Sequence, residues 1–151
     1  MVGTQINSRG PVGKDDGAIH AAVTNYDIKW KYKTRRQEDG FAIVDLLVSL
    51  DLACIMPRKK PSQKIGDAFE SEWKRFLAAL TVHERGHVEH DVRMAEGLLA
   101  KLGERRRFKS VEELKAFVEA ESSRCLAECA KANVDYDRRT NHGATQGATL
   151  R

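Results

Sequence analysis

The sequence is short of several features that would assign a class early. It has only three cysteines in 151 residues. Cys125 and Cys129 stand four apart on a predicted helix, where the Cβ geometry rarely suits a disulfide, and neither has a C-x-x-C partner. They read as small buried apolar residues, with a bridge from Cys54 to one of them left open. No long apolar run is free of charge. The richest, FAIVDLLVSLDLACIM over residues 41–56, carries Asp45 and Asp51, which argues against a membrane span. The opening MVGTQINSRG lacks the apolar stretch of a secretion signal, so the expectation is a cytoplasmic protein or a mature chain with a new start residue. Internal repeats and low-complexity segments are absent. Charge of one sign does not dominate either: 26 Lys and Arg face 22 Asp and Glu, a net +4. The clusters Arg58-Lys59-Lys60 and Arg105-Arg106-Arg107 sit at predicted element boundaries without any nucleic-acid-binding signature, so nucleic acid is not an expected partner.

What is present fits one globular domain over residues 1–151, with the two ends, 1–24 and 144–151, expected to be flexible. A short strand is expected around residues 2–6. Tyr26, Ile28, Trp30 and Tyr32 then alternate with Asp27, Lys29, Lys31 and Lys33, the period of a strand with one wet face. RRQEDG, residues 35–40, reads as a turn, and residues 41–56 as a more buried strand ended by Pro57, so the pair forms an antiparallel hairpin. From Asp67 the period changes to three and four. Phe69, Trp73, Phe76, Leu77, Leu80, Glu84, His87, Asp91, Met94, Leu98 and Leu102 mark one long helix to Gly103, or two with a bend near Thr81. Ser110, with Glu113 three residues on, caps a second helix expected to run to about Asn133. A polar tail follows. Because both helices come after the strands, no βαβ unit is available. The expected fold class is α+β, with an N-terminal antiparallel sheet packed on the two helices.

The long helix is interrupted chemically rather than structurally. Glu84, His87 and Asp91 stand where its buried stripe calls for leucine, and TVHERGHVEHD holds three of the five histidines. His83, Glu84 and His87 spell H-E-x-x-H. At i and i+4 two imidazoles can meet one metal ion, and the carboxylate at i+1 can reach a water on that ion without ligating it. This supplies two zinc ligands and a general base. Burying such a set costs several kcal/mol unless it is paired or metal-bound. His90 lies about 10 Å along the helix axis from His83 and is expected at the surface or behind the ligands. The longer motif, with Gly and a third His further on, is absent, since His90 and Arg93 hold those places. His20, in the loop before the hairpin, has no companions and is expected to face solvent. A third ligand is sought in the tail, where YDRRTNHG gathers Tyr136, Asp137, Thr140 and His142, with Gly143 allowing a turn. His142 on a loop folded back over the helix would complete a three-histidine site. Tyr136 could donate to an oxyanion developing on a zinc-bound carbonyl.

With those residues in view, the chain resembles a family of predicted secreted zinc-dependent proteases of bacteria, domain-of-unknown-function family 922. The shared features are Trp73 and Phe76 ahead of the motif, the motif His83-Glu84-Arg85-Gly86-His87, and a closing pattern. That pattern matches Tyr136, Asp137, Thr140, His142, Gly143, Gln146 and Gly147. The likeness covers roughly residues 25–150. It implies a zincin-like metalloprotease, usually exported, hence secreted or periplasmic. The expected assignment is one zinc ion on His83, His87 and His142, with Asp137 as the alternative third ligand and Glu119 of the second helix after it. Glu84 and Tyr136 are the expected catalytic residues, acting on a peptide or protein substrate held along the strand of residues 41–56 by main-chain pairing. The competing expectation is a non-catalytic domain in which zinc staples the tail to the helix.

Overall fold

The computed structural model describes residues 10–12, 19–59 and 66–150. The strand expected around residues 2–6 lies outside them. Strands β1 (Val23–Gln37) and β2 (Gly40–Ile55) form a two-stranded antiparallel sheet, followed by helices α1 (Asp67–Gly103) and α2 (Val111–Thr140) and a 3-10 turn, Ala144–Gln146. The fold is therefore α+β, as expected. By internal contacts the chain divides into two compact units. One comprises Met1–Asn25, Leu52–Glu89 and Ala132–Arg151, and the other Tyr26–Asp51 and His90–Lys131. Neither is a continuous stretch, because both strands and both helices contribute a piece to each.

In the second unit, Tyr26, Ile28, Trp30 and Tyr32 of β1 pack against the core while their charged neighbours stay exposed. The turn is tighter than the sequence suggests: β1 continues through Arg35 and Arg36, and only Glu38 and Asp39 lie between the strands. Gly40 follows at φ 135°, where a Cβ would stand 2.4 Å from the Phe108 carbonyl oxygen. That close approach exists because Phe41 and Phe108 exchange backbone bonds of 2.8 and 3.0 Å. The inward residues of β2 switch from odd positions, Phe41 and Ile43, to even ones, Leu46 and Leu50. The switch falls at Asp45, whose φ of 51° marks a bulge. The core beneath is Met94, Leu98 and Leu102 of α1 with Leu114, Val118, Cys125 and Cys129 of α2, closed by Phe108. All three cysteines are free thiols. Asp91 is fully buried there, and the Cys129 thiol donates to its carboxylate at 3.3 Å.

α2 begins as expected, the Glu113 amide donating to Ser110 Oγ at 3.1 Å, but it ends seven residues later than the apolar pattern suggests, at Thr140. In the first unit, Trp73, Phe76 and Leu80 of α1 form a small core with Ala22. Ala148 and Leu150 pack against it, and Arg75 donates to the Gly147 carbonyl at 2.7 Å and to that of Thr149. Residues 144–150 thus make apolar contact with this core and accept hydrogen bonds from a guanidinium.

Candidate metal centre

Everything in the candidate site belongs to the first unit. α1 continues unbroken through Thr81, and its inward face runs Trp73, Phe76, Leu80, then His83 and Glu84, both 4% exposed. The last two turns of α2 present Asn133, Tyr136, Asp137 and Thr140. Asp137 and Tyr136 are therefore helical residues, not tail residues. α2 closes with Asn141 at φ 47°, the His142 amide bonded to the Asp137 carbonyl at 2.9 Å and the Asn141 amide to that of Arg138 at 3.4 Å. This is a left-handed helix cap of the Schellman type with Asn in place of Gly. His142 also has positive φ, 50°, and Gly143 follows at 81° with its Cα against the His83 ring, where a Cβ would meet Cγ at 3.0 Å. The chain can then bring Gln146 back to the site.

His83 Nε2 lies 3.1 Å and His87 Nε2 3.0 Å from Asp137 Oδ1. These three form a group that could hold a metal ion, all their ligand atoms lying within 4.8 Å of one another. His142 does not join it. Its Nδ1 stands 3.7 Å from Asp137 Oδ1, and its side chain is 53% exposed. His20, expected to face solvent, is half-buried, with its ring 5.1 Å from that of His142. His90 is half-buried and Glu119 exposed, and neither belongs to the group.

The protonation pattern follows from the surrounding bonds. Tyr136 donates its hydroxyl to the His83 carbonyl at 3.2 Å, so its oxygen accepts from Gln146 Nε2 at 3.0 Å. That turns Gln146 Oε1 toward His83 Nδ1, 3.0 Å away. Thr140, whose hydroxyl donates to the Tyr136 carbonyl at 2.9 Å, offers a second acceptor at 3.4 Å. Nδ1 of His83 therefore carries the proton. Asn133 Oδ1, 2.9 Å from His87 Nδ1, assigns the other ring the same way. In two neutral imidazoles so arranged, both Nε2 lone pairs point at one carboxylate oxygen about 3 Å away, which is repulsive. A cation between them removes the conflict. The donor set also fits by distance, since a tetrahedral ion with bonds of about 2.0–2.1 Å has ligand–ligand edges of about 3.3 Å. Without metal, protons serve. Burial opposes ionisation of Asp137, yet hydrogen bonds from His83 and His87 outweigh it and hold the carboxyl far below its ordinary value. Burial likewise pushes the His87 pKa down, but its bonds to Asp137 and Asn133 and the nearby Asp137 and Glu84 charges raise it overall.

Tyr136 lies flat on His83, centroids 5.1 Å apart and planes 10° from parallel. It reaches there across Gly86, where a Cβ would stand 2.3 Å from its hydroxyl. The structure thus places the expected oxyanion donor beneath His83, with its hydroxyl engaged by the protein. Glu84 accepts from Thr24 Oγ1 at 2.7 Å. Thr24 and Asn133 are not among the residues that the motifs single out. Asn133 continues the four-residue spacing of Cys125 and Cys129 and leads on to Asp137, a legible signal, whereas nothing local distinguishes Thr24.

No curated protein and no solved structure matches the chain. A family model does, across residues 2–143: the chain belongs to the family described as "Bacterial protein of unknown function (DUF922)".

Proposed function

We propose that the protein is a zinc metallopeptidase whose ion is held by His83, His87 and Asp137. The observation that carries this is the convergence of two Nδ1-protonated imidazoles on one ionised carboxylate oxygen, 3.1 and 3.0 Å away. Asp137 replaces His142 as the third ligand of choice, and His142 flanks it at 3.7 Å. Gln146, Thr140 and Asn133 fix the ring orientations, the outer support that metal-ligating histidines generally need. A zinc ion held there would supply Lewis acidity toward a scissile carbonyl and lower the pKa of a bound water to about 7. Glu84 is the general base. With Oε2 occupied by Thr24, its Oε1 takes the proton and passes it to the leaving amine. Tyr136 keeps His83 in register. The end of β2 from Leu52 to Ile55, whose far edge pairs with no strand among the described residues, would bind an extended peptide by main-chain bonds.

The second reading, a non-catalytic zinc domain, draws support from the same Thr24–Glu84 bond, because a carboxylate already partnered can be purely structural. Cleavage of a mixed peptide pool by zinc-loaded protein, lost in Glu84→Gln with zinc content retained, is expected. Equal behaviour of the two proteins would favour the second reading. In metal analysis Asp137→Ala should lose stoichiometric zinc and His142→Ala should retain it; the reverse result would restore His142 as the ligand.

A further inference from the structure

We propose that Thr24 is the positioning residue of Glu84, so that the start of β1, not the metal-bearing helix alone, aims the base. This rests on the peptidase reading. Glu84 is 4% exposed, and a polar group that deep is costly to bury without a hydrogen-bond partner. A partner comes from 60 residues upstream, Thr24 Oγ1 at 2.7 Å, the usual length of an O–H···O bond. A hydroxyl has one proton, and Thr24 gives it to Oε2.

Two physical features make this a positioning device rather than a contact of convenience. Threonine is β-branched and stiff at χ1, so the direction of its donor follows the backbone of β1, which begins at Val23. The last torsion of a glutamate is broad and nearly two-fold, so an unrestrained carboxylate exchanges its two oxygens freely. Holding Oε2 therefore leaves Oε1 as the oxygen available to accept a proton, in one orientation.

The test uses zinc-loaded full-length protein. Thr24→Val keeps the shape and removes the donor, and should lower kcat about tenfold while KM stays within about twofold, as for an interaction made at the reacting centre alone. Thr24→Ser should recover most of the loss. Zinc affinity by chelator competition should be unchanged in both. Independently of activity, the melting-temperature shift caused by Thr24→Val should vanish in a Glu84→Gln background, because the pair acts as a unit. A kcat unchanged by Thr24→Val, a serine variant as impaired as the valine, or shifts that simply add would each overturn the role of Thr24. Absence of cleavage by the unaltered protein would instead overturn the peptidase reading.

Discussion

The two units put the same pair of helices to different uses. In one, the facing stripes of α1 and α2 are Met94, Leu98 and Leu102 with Leu114, Val118 and Cys125, and the single buried charge, Asp91, is bonded to a thiol. In the other, the stripes are His83, Glu84 and His87 with Asn133, Tyr136, Asp137 and Thr140. Burial of hydrocarbon is non-directional, so the first arrangement depends on volume and tolerates exchange of like for like. The second depends on direction. Each polar atom needs a partner at the right angle, and among the described residues every buried side-chain nitrogen and oxygen has one. Stability in the apolar unit therefore comes chiefly from packing, whereas the site unit holds a constellation that is comfortable only with a cation or with protons.

The sharpest way to break this contrast is a truncation on the apolar side. Leu98 is wholly buried, and Leu98→Ala should cost about 2–5 kcal/mol in denaturant unfolding. Zinc affinity of the folded variant should stay within about twofold; its loss would show that the site depends on the apolar packing. The complementary experiment adds the ion. Zinc at a hundredfold excess over its Kd should stabilise by about 2.7 kcal/mol, and protection in hydrogen exchange should rise in residues 80–89 and 133–147 more than in residues 94–102.

The pH dependence of that gain has a definite sign. In metal-free protein the depressed Asp137 pKa contributes stability above the unfolded aspartate value of about 3.9, lost as pH falls through the folded pKa. The raised His87 pKa contributes stability below the unfolded histidine value of about 6.5, lost as pH rises through the folded one. Between about pH 4 and 6.5 protons already satisfy the cluster, so zinc should add least there and progressively more from pH 6.5 to 8. A zinc-induced shift in melting temperature that is flat from pH 5 to 8 would sink the competition.

Much of this was legible in residues and periods. The alternation of β1, the three-and-four spacing of α1, the break in its apolar stripe and the meeting of His83 and His87 with residues 136–146 could all be read in advance. What could not be read has a common cause: the apolar pattern is blind wherever buried positions are polar. It ended α2 at Asn133 because Asp137 and Thr140 do not look like core, although they keep its spacing. It shows no partner for residues 144–150 because they offer little hydrocarbon, whereas Arg75 donates to the carbonyl groups of Gly147 and Thr149. Thr24 leaves no trace in its own neighbourhood because its partner lies on another element.

A smaller effect probes the close approach of the helices in the site unit. Gly86 leaves room for the Tyr136 ring, and a Cβ there would stand 2.3 Å from Cζ. Gly86→Ala should gain the helix preference of alanine, up to about 1 kcal/mol, and lose about 1–3 kcal/mol to overpacking. A net loss of about 1 kcal/mol in thermal unfolding is therefore expected, together with weaker zinc binding. A stabilised variant with normal affinity would mean that Tyr136 can swing aside without consequence.

The smallest effect separates two roles of Tyr136. If its hydroxyl orients His83, Tyr136→Phe removes one bond to the His83 carbonyl and one from Gln146, while the ring still stacks on the imidazole. Replacing a single buried hydroxyl costs about 0.5–1.5 kcal/mol. Gln146 is then free to rotate, and with it the acceptor that keeps His83 protonated at Nδ1. Zinc affinity should fall by about tenfold, the low end of what loss of outer support to a ligand costs. Peptide cleavage at saturating zinc should stay within about threefold of normal, because the phenol does not itself meet the substrate in this reading. If instead affinity is unchanged and kcat drops a hundredfold or more, the hydroxyl leaves His83 during the reaction to serve the oxyanion, as the sequence alone had suggested. The Gln146→Ala variant discriminates further: it should lower zinc affinity like Tyr136→Phe, and the double variant should lose little more, since both act on the same Nδ1.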